Sequence, residues 1–193
     1  MTIRNELLES TIFESEVLSK SRTRVVSLTQ AELSTAEGIR FYTEYDKVFS
    51  TGETVYLLYQ MPAIESGFVV ALQERRFKSL SGEAEVEILW DSTGVTPGTP
   101  LPSFNENRNS VNTSNMITSV IATPTTDGTV RETDFLTGSG AGSNSSGDIS
   151  PDSGSRIYSP SSFFIAKVTN NHNADNRIHL SYTHAEIALT NFA

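Results

Sequence analysis

The stretch AEVEILW, residues 84–90, alternates small or apolar side chains with glutamates and decides the fold class. Val86, Ile88 and Trp90 fall on one side of an extended chain, whereas the glutamates fall on the other. An amphipathic helix would need a period of about 3.6 residues instead of two. The segment therefore predicts a β-strand with one face in a hydrophobic core and the other in water.

The same strand-like pattern recurs along most of the chain from residue 22 onward. Further runs are GIRFYTEY (38–45), ETVYLLYQM (53–61), GFVVAL (67–72), MITSVIA (116–122), FFIAKV (163–168) and RIHLSYT (177–183). Glycine-containing turn signals separate these runs, and no helices alternate with them. About eight such strands predict an all-β fold, an antiparallel β-sandwich or jelly-roll-like domain over residues 22–193.

The first residues, 1–21, differ from this pattern and form a predicted N-terminal arm. Their apolar residues come as doublets five residues apart: Leu7 and Leu8, Ile12 and Phe13, and Val17 and Leu18. This spacing spreads the doublets around a helix and also splits each doublet between the two faces of a strand. Two interpretations stay open. The arm is a short helix that caps the domain, or it leaves the domain and its apolar residues bind pockets on neighbouring subunits.

A second unusual stretch is TGSGAGSNSSGDISPDSGS, residues 137–155, which is rich in glycine and serine. It lacks the apolar residues that a core requires, and it is longer than an ordinary hairpin loop. We predict a surface loop, which is either flexible or ordered against a partner subunit or ligand.

The charge balance excludes some classes of partner. The chain has 193 residues, with 14 Lys and Arg against 23 Asp and Glu, and a formal net charge of −9. A surplus of this sign repels a phosphate backbone, so we expect no nucleic-acid partner. The longest apolar runs are far shorter than a membrane span, and the N-terminus lacks a signal-peptide pattern. We therefore expect a soluble, unprocessed protein with no membrane partner.

The sequence contains no recognisable catalytic or cofactor motif. It has no cysteine, no serine within G-x-S-x-G, and no phosphate-binding glycine loop that opens a helix. His172, His179 and His184 lack the spacing of metal ligands, and the last two fall on opposite faces of one strand. Paired carboxylates for glycoside cleavage stay open, because that arrangement depends on distances in space. We expect no enzyme activity, no cofactor and no metal.

GTPLPSFNENRNSVNTSN, residues 98–115, is rich in asparagine and contains one basic residue, Arg108. Asparagine side chains bond to their own backbone two residues on, which favours a succession of turns. The guanidinium of Arg108 has several donors for loop carbonyls or for a carboxylate. We predict that Asn105, Asn107 and Arg108 staple this long connection. The alternative is that Arg108 contacts an acidic surface outside the subunit.

Residues in this stretch and beyond it carry a resemblance to a known family. They are Gly98, Thr99, Asn105, Asn107, Arg108 and Ser110, then Asp127, Gly128 and Thr129, the glycine-rich loop, and the closing segments FFIAKVTN and RIHLSYT. Together with YLLYQMP, GFVVAL and EVEILWD, this order resembles virion structural proteins of tailed bacteriophages. The resemblance covers roughly residues 38–183.

The resemblance implies a β-sandwich component of the phage particle, of the head decoration or cement type. Such a protein would bind the major capsid protein and copies of itself, for example as trimers at local threefold positions. It would stabilise the head through these interfaces and without catalysis. It would be made in the host cytoplasm and lie on the capsid surface of the virion.

Two alternative functions stay open from the sequence. One is a structural protein of the phage tail or baseplate. The other is a carbohydrate-binding module that attaches particles to the host surface. A sugar-binding module exposes several aromatic residues on one face or loop rim, and the candidates are Tyr42, Tyr56 and Phe104.

Overall fold

The structure is a computed structural model that describes residues 30–138, 146–149 and 156–189. The predicted arm at 1–21, with its six apolar interface residues, lies outside the described residues, as does most of the Gly/Ser-rich stretch at 137–155. The described chain contains one α-helix, one 3-10 helix and twelve strands. No helix in this part of the chain is long and apolar enough to cross a membrane.

The helix α1 spans Gln30–Ala36, and the 3-10 helix spans Ile64–Ser66. The strands are β1 (Arg40–Phe49), β2 (Thr54–Gln60), β3 (Phe68–Ser79), β4 (Glu83–Trp90), β5 (Thr99–Pro100), β6 (Ser103–Asn105), β7 (Ile117–Ile121), β8 (Thr129–Thr137), β9 (Ser146–Ile149), β10 (Arg156–Tyr158), β11 (Phe163–Asn170) and β12 (Asn176–Ala188).

The strands form two antiparallel sheets that pack face to face. Sheet A has the order β10-β3-β12-β1-β6, with β9 also paired to β3, and sheet B has the order β5-β7-β2-β11-β4-β8. The earliest main strands in the sequence pair with the latest ones, and the pairing continues toward the middle of the sequence: β1 with β12, β2 with β11, β3 with β10, and β4 with β8. This nested pairing, divided between two sheets, is the topology of a jelly roll. The predicted all-β antiparallel sandwich is therefore confirmed.

Aromatic side chains from both sheets fill the space between them. Tyr59 of β2 stacks on Phe164 of β11, with ring centroids 4.8 Å apart. Tyr182 of β12, from the opposite sheet, lies 4.2 Å from Tyr59 between ring centroids. Burial of one large apolar side chain contributes about 1.5–3 kcal/mol. This ring cluster is accordingly a major source of the stability of the sandwich.

Part of the long connection between β4 and β8, residues 91–128, packs on the outer face of sheet B. Tyr56 on that face belongs to a second apolar cluster, against which Val95 of the connection packs. Lys167 of β11 holds Asp127 at the far end of the connection, with Nζ and Oδ2 2.8 Å apart. Strand β2 is thus buried on both faces, which explains its continuous apolar sequence.

The same connection adds strands to one edge of each sheet. It begins in sheet B at β5, passes through sheet A at β6 and returns to sheet B at β7. There β6 pairs with β1 and β7 pairs with β2. The asparagine-rich stretch, residues 98–115, therefore runs between the β6 edge of sheet A and the β5 and β7 edge of sheet B.

Five strands, β5, β6, β8, β9 and β10, lie where the sequence pattern predicts none, and two of them show why. β9 lies within the stretch predicted as a Gly/Ser-rich loop, and it pairs with β3 because an open strand edge bonds to backbone whatever the side chains are. β8 places Glu132 and Asp134 opposite the core residues Ile88 and Val86 of β4. Its inward face is therefore partly charged, and this hides the alternation that would predict a strand.

Helix α1 ends in a Schellman motif that leads directly into β1. Ile39 N–H donates to Ser34 C=O at 3.1 Å, and Gly38 N–H donates to Thr35 C=O at 3.0 Å. Gly38 has a φ of +69°, and a Cβ at this position would collide with Ser110. Only glycine fits both requirements.

Candidate functional site

An exposed aromatic pair lies where β1 meets β6 at the edge of sheet A. Tyr42 and Phe104 are direct partners across the two strands. Their ring centroids lie 5.4 Å apart at an interplanar angle of 32°. Phe104 is 47% exposed, and Tyr42 is half-buried. Rings at this separation attract each other, so the pair offers a fixed apolar surface to solvent.

Asparagine side chains fix the loop behind this pair. Asn105 Nδ2 donates to Gly38 C=O at 2.8 Å and to Asn112 C=O at 3.3 Å, and its Oδ1 accepts from Asn107 N–H at 2.9 Å. Asn107 Nδ2 donates to Ala36 C=O at 3.1 Å. That carbonyl belongs to the last turn of α1, where helical partners are missing. Asn105 and Asn107 thus tie the connection to the corner between α1 and β1.

A partly buried ion pair lies beside the asparagines. Arg40 Nη1 is 2.9 Å from Glu106 Oε2, and the two side chains are 16% and 24% exposed. Glu106 Oε2 also accepts from Thr35 Oγ1 at 3.1 Å, and Glu106 N–H donates to Arg40 C=O at 3.0 Å. The pair is held by backbone as well as by charge, so its geometry is more constrained than that of a surface salt bridge.

Arg108 takes no part in this network. Its side chain is exposed and makes no hydrogen bond or ion pair with any residue that the structure describes. The nearby carbonyls of Gly38 and Ala36 already accept from asparagine amides. The structure therefore places the stapling contacts on Asn105 and Asn107 and not on Arg108.

Two adjoining depressions open at this corner and share Thr35, Glu106 and Arg108. The larger, of about 520 Å³, also contains the aromatic pair. The smaller, of about 400 Å³, extends toward Arg40. We call them together the corner cleft. Both volumes are within the range of small-molecule sites, and the lining combines ring surfaces, a carboxylate and an exposed guanidinium.

The third aromatic candidate for a sugar site does not join the other two. Tyr56 is 8% exposed and lies on the outer face of sheet B, where burial raises the pKa of its phenol. The structure thus brings Tyr42 and Phe104 together and leaves Tyr56 outside that site.

The edge of sheet B is a second candidate interaction site. β8 ends the sheet, and no described strand pairs with its outer side. Phe135 is 71% exposed and Val130 is 46% exposed. An unpaired edge presents backbone N–H and C=O groups that readily bind another strand. We call residues 129–137 the β8 edge.

The inner side of β8 carries two carboxylates, Glu132 and Asp134, which bear on the possibility of a glycoside-cleaving pair. Arg75 Nη2 of β3 lies 2.5 Å from Glu132 Oε2. Asp134 Oδ2 is buried and has no hydrogen-bond partner among the described residues. Burial raises the pKa of Asp134, and the charge of Arg75 opposes this effect. Because Arg75 neutralises Glu132, this group joins two sheets and is not poised as an acid and base around a substrate.

A Ser–His–Glu cluster that the sequence did not reveal lies at the end of β12. Ser114 Oγ donates to Glu186 Oε1 at 2.6 Å and lies 3.1 Å from Nε2 of the fully buried His184. In a hydrolase triad the acid binds Nδ1, and Nε2 accepts the serine proton. In this cluster the serine proton goes to Glu186, so Nε2 donates to the serine, and Nδ1 has no partner within the described chain. The cluster is therefore not a nucleophile and base.

Glu186 instead anchors the segment that precedes β7. Asn115 donates to it from N–H and from Nδ2, both at 2.7 Å, and Met116 N–H donates at 3.0 Å. Burial alone would raise the pKa of Glu186, but the nearby His184 and the hydrogen bonds from Ser114 and these groups lower the pKa to about 2. A carboxylate ionised at neutral pH thus fixes the connection to sheet A. The contact joins residues 70 or more positions apart, so no local sequence pattern predicts it.

The other histidines have structural surroundings. His172 N–H donates to Asn170 Oδ1 at 3.0 Å in the turn before β12. His179 lies opposite Asp46 of β1 in sheet A. Within the described ranges, no group of three or more His, Asp or Glu side chains could hold a metal ion.

Comparisons of the chain with protein-family models, curated proteins and solved structures found no match.

Proposed function

We propose that the chain is a structural protein of a tailed-phage virion that decorates the head by binding the major capsid protein and acts without catalysis. The β8 edge carries this proposal: a strand of nine residues, unpaired by any described strand on its outer side, with two exposed apolar side chains. The resemblance of residues 38–183 to virion structural proteins supports the same function.

The β8 edge suits adhesion to a shell subunit in two ways. Its backbone can receive a strand from that subunit, and the main-chain hydrogen bonds then supply affinity. Phe135 and Val130 supply apolar side chains for pockets on the partner. A stable contact of this kind buries about 1,600 Å² in total, and many symmetric copies multiply modest contacts.

The outer face of sheet A carries exposed ion pairs beside a few exposed apolar side chains such as Val48. Arg177 holds Asp46 through Nε at 2.9 Å and Nη2 at 2.5 Å. Glu74 and Arg76 form a further exposed pair at 2.5 Å. Ion pairs at a wet surface contribute little to binding. The proposal therefore directs the β8 edge toward the capsid and the outer face of sheet A toward solvent.

Particles that lack the protein test the proposal. They should release DNA at a lower temperature and after milder osmotic shock than complete particles, because the shell loses bridging contacts. Addition of the purified chain should restore their resistance. Equal resistance with and without the protein would show that it does not cement the head.

A matched pair of variants tests the β8 edge itself. Phe135→Ser should no longer cosediment with empty shells. Val48→Ser removes another exposed apolar side chain, 55% exposed on β1, and should bind as the unaltered chain does. If both variants bind normally, the shell contact lies elsewhere on the molecule.

A tail or baseplate protein is the alternative function that the same edge would serve. Cryo-microscopy of the virion separates the two. Copies in register with the capsid lattice support head decoration, whereas density confined to the tail supports the alternative.

A further inference from the structure

We propose that the corner cleft binds a pyranose sugar that carries a carboxylate, such as a uronic acid. Phe104 and Tyr42 would contact the C–H face of the sugar ring, and Arg108 would bind the carboxylate. The cleft lies at the β6 edge of sheet A, whereas the β8 edge belongs to sheet B. This inference therefore does not depend on the head-decoration proposal.

The aromatic pair supplies the apolar half of the site. One face of a pyranose presents C–H groups, and an aromatic ring offers a flat surface that can cover them. Phe104 has this surface available because it is 47% exposed. Its cross-strand contact with Tyr42 holds the ring in place before any ligand arrives, so little side-chain entropy is lost on binding.

Arg108 supplies the charged half of the site. A guanidinium fork matches both oxygens of a carboxylate, and such charge-assisted bonds are among the strongest in proteins. Arg40, the other arginine of the cleft, already pairs with Glu106 at 2.9 Å and with Glu74 at 3.8 Å. Arg108 has no such partner among the described residues. It lines the same depression as the aromatic pair, so one ligand can reach both.

Glu106 and the asparagines complete the recognition of a polyhydroxylated ligand. Glu106 Oε2 accepts from Arg40 and Thr35, which leaves acceptor positions for a sugar hydroxyl because a carboxylate has about four. Asn105 and Asn107 fix the backbone from which Phe104, Glu106 and Arg108 project. An acidic peptide would use Arg108 but would leave the rings without a flat C–H partner. The combination of groups therefore favours an acidic sugar.

Saturation-transfer NMR with the full chain tests the proposal. The probes are the methyl glycosides of glucuronic and galacturonic acid, with the methyl glycosides of glucose and galactose as neutral counterparts. The acidic sugars should receive saturation and bind at least about tenfold more tightly than the neutral ones. Acetate, which has the carboxylate without the ring, should bind more weakly than either acidic sugar.

Variants assign the binding to the corner cleft. Arg108→Gln should reduce the affinity for the acidic sugars about tenfold and leave the neutral ones unchanged. Phe104→Ala should weaken every sugar. The matched controls are Arg131→Gln, an exposed cation on β8, and Ile157→Ala, a 59% exposed apolar residue on β10. Neither control should alter binding.

Several results would overturn the proposal. They are equal affinity for acidic and neutral sugars, acetate binding as tight as that of a uronic acid, or acidic-sugar binding that survives Arg108→Gln. Absence of saturation transfer to both acidic sugars at about 10 mM would overturn it as well. Arg108 is exposed and forms no hydrogen bond or ion pair with the described residues, so Arg108→Gln should keep the fold intact. It therefore keeps the test valid even if Phe104→Ala proves unstable.

Discussion

Arg75 of β3 and Glu132 of β8 join the two sheets from inside the sandwich, with Nη2 and Oε2 2.5 Å apart. The Arg75 side chain is only 7% exposed, whereas that of Glu132 keeps 28% exposure. The guanidinium also lies 6.0 Å from the ring centroid of Phe77. The strand that carries the proposed capsid contact is thus held in place by a charge pair within the molecule.

Removal of Glu132 and removal of Arg75 should lower the free energy of unfolding by different amounts. Glu132→Gln leaves a buried guanidinium without its full charge partner, and we expect the free energy of unfolding to fall by about 2 kcal/mol. Arg75→Met should be less harmful, because Glu132 reaches water and methionine fills the vacated volume. Urea unfolding of both variants gives the order. A larger loss for Arg75→Met would refute this account.

Asp134→Asn is expected to stabilise the protein at neutral pH. Burial raises the pKa of Asp134 above its ordinary value, and its Oδ2 lacks a partner in the described chain. Since the folded pKa exceeds the unfolded one, the folded state binds the proton more tightly. Stability should therefore fall as pH rises from the unfolded pKa, near 4, through the folded pKa. Thermal unfolding across this range should show the decline in the unaltered chain and a flatter profile in Asp134→Asn.

Asp46→Asn is the control with the opposite sign. A hydrogen bond from Arg177 lowers the pKa of Asp46. Its contribution is present above the unfolded pKa and is lost as pH falls through the folded one. The substitution should slightly destabilise the protein at neutral pH, because the pair is exposed. Destabilisation by both asparagine variants at neutral pH would contradict the role assigned to Asp134.

Glu186→Gln should destabilise the protein at neutral pH by about 2–4 kcal/mol, because a neutral amide cannot replace a buried carboxylate that accepts several hydrogen bonds. Burial favours the neutral form of Glu186, but hydrogen bonds lower its pKa to about 2. The stabilisation is therefore complete above the unfolded pKa, near 4.3, and is lost as pH falls toward 2. Acid titration followed by tryptophan fluorescence measures this loss. Glu44→Gln, an exposed position on β1, should leave the acid limb unchanged.

Asn105→Ala should loosen the asparagine-rich stretch, since three hydrogen bonds of its side chain are lost at once. We expect a loss of about 1–3 kcal/mol and faster amide exchange across residues 98–115. Asn109→Ala is the matched control, because Asn109 is exposed and uses only its backbone N–H, to Asn107. Exchange mass spectrometry distinguishes the two. Similar protection in both variants would mean that the stretch is held by other contacts.

The sequence predicted the fold where side-chain alternation follows burial. In β4, Val86 and Ile88 are buried as their spacing predicts, and the all-β sandwich follows from such strands. The sequence does not predict β8, because Glu132 and Asp134 occupy inward positions near Arg75 of a distant strand. β12 extends past the predicted run to Ala188, through His184 and Glu186, which have polar side chains although they are buried. Buried charge is a long-range property that a local pattern does not contain.

The candidate site also combines local features, which the sequence predicts, with long-range contacts, which it does not predict. The side chains of Asn105 and Asn107 each accept a hydrogen bond from a backbone N–H two residues on. The sequence alone predicts these turns. The contact between Tyr42 and Phe104 depends on the pairing of β1 with β6. The sequence supplied both aromatic residues as candidates but grouped Tyr56 with them, because it does not say which sheet each one joins. The sequence predicts that Arg108 bonds within the loop. Its side chain is exposed instead, and the asparagine amides occupy the nearby carbonyls.

The nested order of strands has a consequence for synthesis on the ribosome. Among the described strands, β1 emerges first, but its long partner β12 is the last to be made. Until then, the three-residue β6 is the one described strand with which a nascent β1 can pair. Sheet A therefore closes after translation has passed β12, and chains cut short before Asn176 should be held by chaperones or degraded rather than released as partly active fragments.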